Sequence, residues 1–181
     1  SDLNTLAALE PAIHTRVDSS PEIEHYFFNL GTTAGVTLPD GSVVGKSDRN
    51  GPCPFQDVRV RKAIILGIDR ETIVKTLLEG KTTVPASLWP NSFWTNTNLK
   101  PYPYDPDQAK KLLDEAGYAP DPANNGIRHG MCNGVDTKLS FNFEPTTKQL
   151  RQDMATAVKQ MLAQIGVEFK PVFTPSGTFF G

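Results

Sequence analysis

The chain has 181 residues, 38% hydrophobic and 21% charged, enough apolar material to bury a core of its own. Its 18 Lys plus Arg against 20 Asp plus Glu leave a formal net charge of −2, which argues against nucleic acid as a partner because phosphate contacts demand a basic surface. No stretch approaches the ~20 apolar residues that cross a bilayer, and the residues that follow the opening Ser-Asp show no charged run ahead of an apolar one.

Residues 1–21 mix a short helical run (Leu3, Leu6, Ala7, Leu9) with Pro11 and Pro21 and are expected to be a connecting segment. Ile23 to Leu30 is dense in β-branched and aromatic residues, which predicts a strand. In the Gly- and Pro-rich stretch after it, Pro39-Asp40-Gly41-Ser42 predicts the tip of a small hairpin. A helix is expected over 58–68, with Val60, Ala63, Ile64 and Gly67 on one face. A second starts at Asp69, a good N-cap, carries Ile73, Val74, Leu77 and Leu78 as its apolar stripe, and stops at Gly80. Residues 81–104 are expected to be irregular. Asp105 then caps a third helix, with Pro106 at its first position, Gln108 placed for a reciprocal capping box, and Ala109, Leu112, Leu113 and Ala116 at helical spacing before Gly117.

Residues 120–134 read as a second irregular stretch. Beyond them the pattern is a βαβ unit. Leu139, Phe141 and Phe143 alternate with polar residues as in a half-buried strand. A long amphipathic helix over 148–165 turns Leu150, Met154, Val158, Met161, Leu162 and Ile165 inward. Gly166 closes it, and Val167 and Phe169 open the next strand, parallel to the first. There is no internal repeat.

Catalytic constellations are scarce. His14, His25 and His129 form no ligand spacing, so no metal and no cofactor is expected. No GxSxG nucleophile elbow or GxGxxG occurs; Gly41-Ser42-Val43-Val44-Gly45 keeps only the outline of a phosphate-binding loop and lacks its Lys-Ser/Thr end, and Asp114-Glu115 and Asp105/Asp107 are placed as helix-surface and capping groups. Cys132 and His129, three residues apart, are the sole candidates for nucleophile and base, and they keep a Cys/His hydrolase among the alternatives. Cys53 and Cys132 are either two unrelated thiols or one disulfide joining two loops. Trp89, Phe93, Trp94, Tyr102 and Tyr104 crowd sixteen residues of irregular chain. They either seal a long loop onto the body or line a ligand cleft, indoles offering a flat apolar face plus one donor.

Two blocks carry a resemblance. Pro54-Phe55-Gln56-Asp57-Val58-Arg59-Val60-Arg61-Lys62-Ala63-Ile64, followed by Gly67-Ile68-Asp69-Arg70-Glu71-Thr72-Ile73-Val74, resembles the signature of the peptide/nickel-type extracellular solute-binding proteins, family 5. Pro101-Tyr102-Pro103-Tyr104-Asp105-Pro106 through Gly117-Tyr118 is similar to that family's second typical block. Phe27-Phe28-Asn29-Leu30 and Ile165-Gly166-Val167 resemble its strand entry and its helix-to-strand junction.

The resemblance implies an α/β fold, one lobe of a type II periplasmic-binding-protein-like architecture with a mixed sheet flanked by helices. It implies that residues 22–181 are a partial second lobe, separated from its companion first lobe. The implied function is non-enzymatic: capture of an oligopeptide or similar small solute by closure between lobes, for delivery to the permease subunits of an ABC importer outside the cytoplasm. Membrane association would come only through that importer or through a lipid anchor outside this chain. Sugar, nickel and haem are further ligand classes of the family. Site candidates implied by location are Ser87, Trp89 and Trp94 in the aromatic loop and Glu144, Thr146 and Thr147 after the first βαβ strand. The Cys53/Cys132 pair departs from the general family pattern. A stand-alone interaction or sensory module, using the aromatic loop to hold another protein, is the other alternative.

Overall fold

The computed structural model describes residues 23–46, 50–90 and 92–180; the expected connecting segment, together with His14, lies outside them. In chain order come a hairpin of β1 (Val36–Thr37) and β2 (Val43–Val44), a 3-10 turn over Cys53–Gln56, and helices α1 (Val58–Leu66), α2 (Arg70–Leu77) and α3 (Pro106–Glu115). Strands β3 (Ala119–Pro120), β4 (Arg128–Cys132), β5 (Val135–Lys138) and β6 (Ser140–Phe143), helix α4 (Gln149–Ala163), strand β7 (Glu168–Pro171) and the single-turn helix α5 (Ser176–Phe179) complete it.

Both caps expected at Asp69 and Asp105 form, and Asp57 makes a third. The carboxylates of Asp57, Asp69 and Asp105 accept from the backbone N–H of Arg59, Thr72 and Gln108, each satisfying a donor that a helix start leaves without an internal partner. The reciprocal half of the capping box does not form. The Asp105 N–H donates instead to the Leu66 carbonyl at 2.9 Å, a tertiary bond that fastens the start of α3 to the end of α1. Helices α1 and α3 pack together through Val60, Ala63 and Ile64 on one side and Ala109, Leu112 and Leu113 on the other. Their apolar faces merge with the βαβ unit into one core, where Leu139, Leu162, Ile165 and Val167 are fully enclosed.

The βαβ expectation holds: β6 and β7 are parallel, Phe141 opposite Phe169, with α4 packed on β7. Gly166 makes the helix-to-strand junction at φ 79°, and a Cβ there would sit 2.7 Å from Arg128 Cγ and 2.8 Å from the Gly126 carbonyl, so only glycine fits. Parallel and antiparallel pairing both occur, divided among three small sheets: β1-β2, β3-β4-β5 and β6-β7.

Two expectations are corrected. Residues 23–30 join no strand ladder. The two-residue alternation is present, with Tyr26 and Phe28 half-buried and His25 and Phe27 exposed. But Tyr26 lies over the rings of Phe143 and Phe169, on the face of the β6–β7 sheet rather than at its edge, so the segment is held by side chains. The stretch 120–134 is not irregular. It holds the second residue of β3, a 3-10 turn over Pro122–Asn124, and β4, which pairs antiparallel with β5. The overlooked signal is Asn133-Gly134, both at positive φ (51° and 79°) as a two-residue hairpin tip requires. His129 and Cys132 are thus strand residues.

Candidate functional site

A concavity of about 810 Å³ runs along the β6 side of the βαβ unit. Tyr26, Phe55, Phe141 and Phe143 give it an apolar floor. Phe55 and Phe141 lie 4.2 Å apart between ring centroids, and Phe143 stacks on Phe169 at 4.9 Å. The rim is polar, from Glu24, Asn142, Glu144, Thr146, Arg151 and Lys170.

The chain geometry dictates that division. Even-numbered β6 residues turn to the opposite face from Phe141 and Phe143, and the loop after β6 carries the chain over the opening before α4 begins. That loop is tied down. The Val172 and Thr174 N–H groups donate to the Phe143 and Pro145 carbonyls at 2.7 and 3.0 Å, and Gln152 Nε2 donates to the Thr147 carbonyl at 2.8 Å. Arg151, in the first turn of α4, spans the rim. Its Nε and Nη2 donate to the Glu24 carboxylate at 3.0 and 2.9 Å, and its Nη1 donates to Thr146 Oγ1 at 2.6 Å. The Glu24 hydrogen bonds hold the Arg151 pKa above its usual value. Burial, with the Glu24 charge second, pushes the Tyr26 phenol up to about 12, so it stays a neutral donor at the cleft floor.

The structure separates the sequence candidates into two places. Glu144 and Thr146 lie in the lining of the cleft, Thr146 almost fully buried, and Thr147 follows them on the same loop with its carbonyl engaged by Gln152. Ser87, Trp89 and Trp94 lie outside that lining. Their loop is organised locally: the Trp89 N–H donates to Ser87 Oγ at 3.3 Å, and the Phe93 and Trp94 rings sit 4.2 Å apart. With Trp89 64%, Phe93 86% and Trp94 71% exposed, these rings do not seal the loop onto the body. The residues the sequence did not single out are Glu24, Tyr26, Asn142, Arg151 and Lys170. The Arg151–Glu24 contact joins positions 127 residues apart, and no local pattern signals it.

Cys53 and Cys132 are joined, with their Cα atoms 6.2 Å apart, so the 3-10 turn ahead of α1 is tethered to β4. This removes the Cys/His hydrolase, because the only sulfur near His129 is already bonded and cannot supply a thiolate. His129 Nδ1 lies 2.9 Å from Asp136 Oδ1 across the β4–β5 hairpin instead. Among the described residues no three His, Cys, Asp or Glu side chains converge as a metal set would, and no helix is long and apolar enough to cross a membrane.

Comparison with known proteins places this geometry. The oligopeptide-binding protein of Thermus thermophilus, solved with a pentapeptide, superposes with a TM-score of 0.65 at 28% identity over 70% of this chain and 21% of its own. The chain is 32% identical over 123 residues to heme-binding protein A of Haemophilus influenzae, covering 66% of this chain and 20% of that protein. It is 32% identical over 115 residues to the glutathione-binding protein GsiB of Escherichia coli, covering 64% of this chain and 19% of that protein. The chain therefore spans about a fifth of the length of these relatives, and its α/β fold is that of part of a periplasmic binding protein. The family described as bacterial extracellular solute-binding proteins, family 5 (middle), matches residues 2–180, and this chain belongs to it.

Proposed function

We propose that this chain forms one wall of the solute cleft in the substrate-binding subunit of an ABC importer, and that it takes part in capture without catalysing any reaction. The observation that carries the reading is the open concavity of about 810 Å³ over the β6 face, apolar at its floor and polar at its rim. That lining suits a flexible, partly apolar solute with charged or amide groups, and a peptide is the solute class it fits best. A peptide is also the cargo named for two solved neighbours, one holding a pentapeptide and one a nonapeptide. Glu144, Thr146 and Thr147 are the proposed contacts inside the cleft. Ser87, Trp89 and Trp94 are proposed as a second contact surface on the aromatic loop. Residues 22–181 are read as the larger part of a second lobe. Closure of a companion lobe would supply the opposite wall and bury the solute, and the closed form would be presented to permease subunits outside the cytoplasm.

Half a binding site retains only part of the contact energy, so calorimetry of the 181-residue chain with a pentapeptide is expected to show no micromolar binding, whereas a longer protein carrying this chain binds in that range. Micromolar binding by the 181-residue chain alone would overturn the two-wall reading. A second reading, a protein-interaction module working through the aromatic loop, is favoured by the exposure of Trp89, Phe93 and Trp94. It would replace the first if W89A/W94A abolished binding of a protein partner while leaving solute binding intact.

A further inference from the structure

A second, smaller concavity of about 290 Å³ lies away from the cleft, where the start of α2 meets the segment 100–104. Arg70, Glu71, Lys100, Tyr102 and Tyr104 line it, with Pro101 ahead of the tyrosines and Pro103 between them. Arg70 spans the gap: its Nη2 donates to the Tyr102 carbonyl. That bond uses one of the five N–H donors a guanidinium carries. The Arg70 Nε is buried and has no acceptor among the described residues, and it is the one buried side-chain polar atom there left in that state. Leaving such a donor unmet costs about 1–3 kcal/mol, more on a charged group, so native structures seldom keep one without a reason. Burial also pulls the Arg70 pKa below its usual value, with the Glu71 carboxylate opposing.

We propose that this concavity is a carboxylate-binding subsite, in which Arg70 and Lys100 hold the anion and the Pro101–Tyr104 walls pack against whatever carries it. Arg70 and Lys100 against Glu71 leave the lining with one net positive charge, which suits a monoanion rather than a phosphate. A planar carboxylate matches the guanidinium fork. Tyr102, whose carbonyl accepts from Arg70, is more than half exposed, so this wall is free to adjust and let Nε and an Nη nitrogen grip both oxygens. The proposal stands independently of solute capture, since none of these residues lines the larger cleft. The carboxylate comes either from a small free acid or from a Glu or Asp side chain on a protein segment.

The Arg70 Nε–H resonance of the 181-residue chain reads the subsite directly. Titration with sodium acetate is expected to shift it downfield and saturably, while sodium chloride at matched ionic strength leaves it unmoved. Lys100→Ala should weaken acetate about threefold, and Glu71→Gln should tighten it about threefold, in keeping with the modest strength of exposed charge pairs. Neither change touches the core, so both variants fold. A Glu-containing pentapeptide that outcompetes acetate assigns the carboxylate to a protein segment; acetate saturating where the peptide does not assigns it to a small acid. The proposal is overturned if the resonance is indifferent to acetate, if chloride moves it equally, or if Lys100→Ala and Glu71→Gln leave the acetate affinity unchanged.

Discussion

The helical body and the aromatic loop are both rich in large apolar side chains, yet they treat them in opposite ways. In α1, α3 and α4 the apolar residues recur at helical spacing, and Val60, Leu113, Val158 and Leu162 are excluded from solvent. In the loop over 88–104 the aromatic residues recur with no period, and Leu88, Trp89, Phe93, Trp94 and Tyr102 all stand exposed. Hydrophobicity alone does not bury a residue. Burial needs a backbone that repeats with the same period as the side chains, so that one face can meet another.

Matched truncations test this contrast most severely. Leu113→Ala empties a fully buried position between α1 and the βαβ unit and is expected to destabilise the chain by about 2–5 kcal/mol, the transfer loss plus a cavity. Trp94→Ala removes a much larger side chain but is expected to change stability by less than about 0.5 kcal/mol. Urea unfolding of both variants reads the difference, and a Trp94 variant as damaged as the Leu113 variant would mean that the loop packs on the body after all.

The disulfide sharpens the comparison from another direction, because it sits where packing is thin. It ties the turn before α1 to β4, in a sheet whose β5 is largely exposed. Closing a loop of 79 residues restricts the unfolded chain, and replacing both Cys53 and Cys132 by Ser is expected to cost about 2–5 kcal/mol. The loss should be visible as a lower unfolding midpoint. Hydrogen exchange is expected to rise most in β4 and β5 and least in α1 and α3. Uniform acceleration through both would show that the hairpin and the helical body open as one unit.

Much of this arrangement is legible in the sequence, for a physical reason. Caps and helix stops are local chemistry: Asp57, Asp69 and Asp105 act within three residues of themselves, and Gly117 and Gly166 end helices by their own backbone freedom. The βαβ unit is legible because period two gives way to period 3.6 and back. The strand expected over 23–30 failed because alternation specifies which side chains turn inward but not whether another backbone is near enough to pair. The β4–β5 hairpin was missed because Gly130 and His129 interrupt its apolar pattern, while the decisive Asn133-Gly134 pair looked like loop punctuation. The candidate site was half legible. Glu144 and Thr146 follow from their place after β6, whereas Glu24, Tyr26, Arg151 and Lys170 converge from separate segments, a tertiary fact that no window of sequence contains.

Tyr26 reports whether segment 23–30 really lies over the sheet face. Its phenol is pushed up to about 12, mainly by burial and then by the Glu24 charge. A folded pKa above the unfolded value means that the folded state holds the proton more tightly. The contribution to stability is therefore complete below about pH 10 and is lost as pH rises from there towards 12. Ultraviolet titration of the four tyrosines should show late ionisation from Tyr26 and from Tyr118, whose phenol burial also pushes up; Tyr26→Phe should remove the latest step and lessen the loss of stability in alkali. A latest step that survived in that variant would place Tyr26 in open solvent and dissolve the floor of the cleft.

A modest effect is expected at Asp57, where the helical body begins. Its carboxylate accepts from the Arg59 side chain and backbone N–H, and these bonds, the side-chain one foremost, hold its pKa below the usual carboxylate range. A depressed folded pKa stabilises the protein above the unfolded pKa of about 4 and ceases to do so as pH falls through the folded value. Asp57→Ala is expected to cost about 0.5–1 kcal/mol at neutral pH, the low end for a helix cap because solvent screens the exposed Arg59 partner. The gap between wild type and variant should close on acidification, since the protonated cap no longer accepts as an anion. A gap that stayed constant into acid would mean that the carboxylate contributes by its shape and not by its charge.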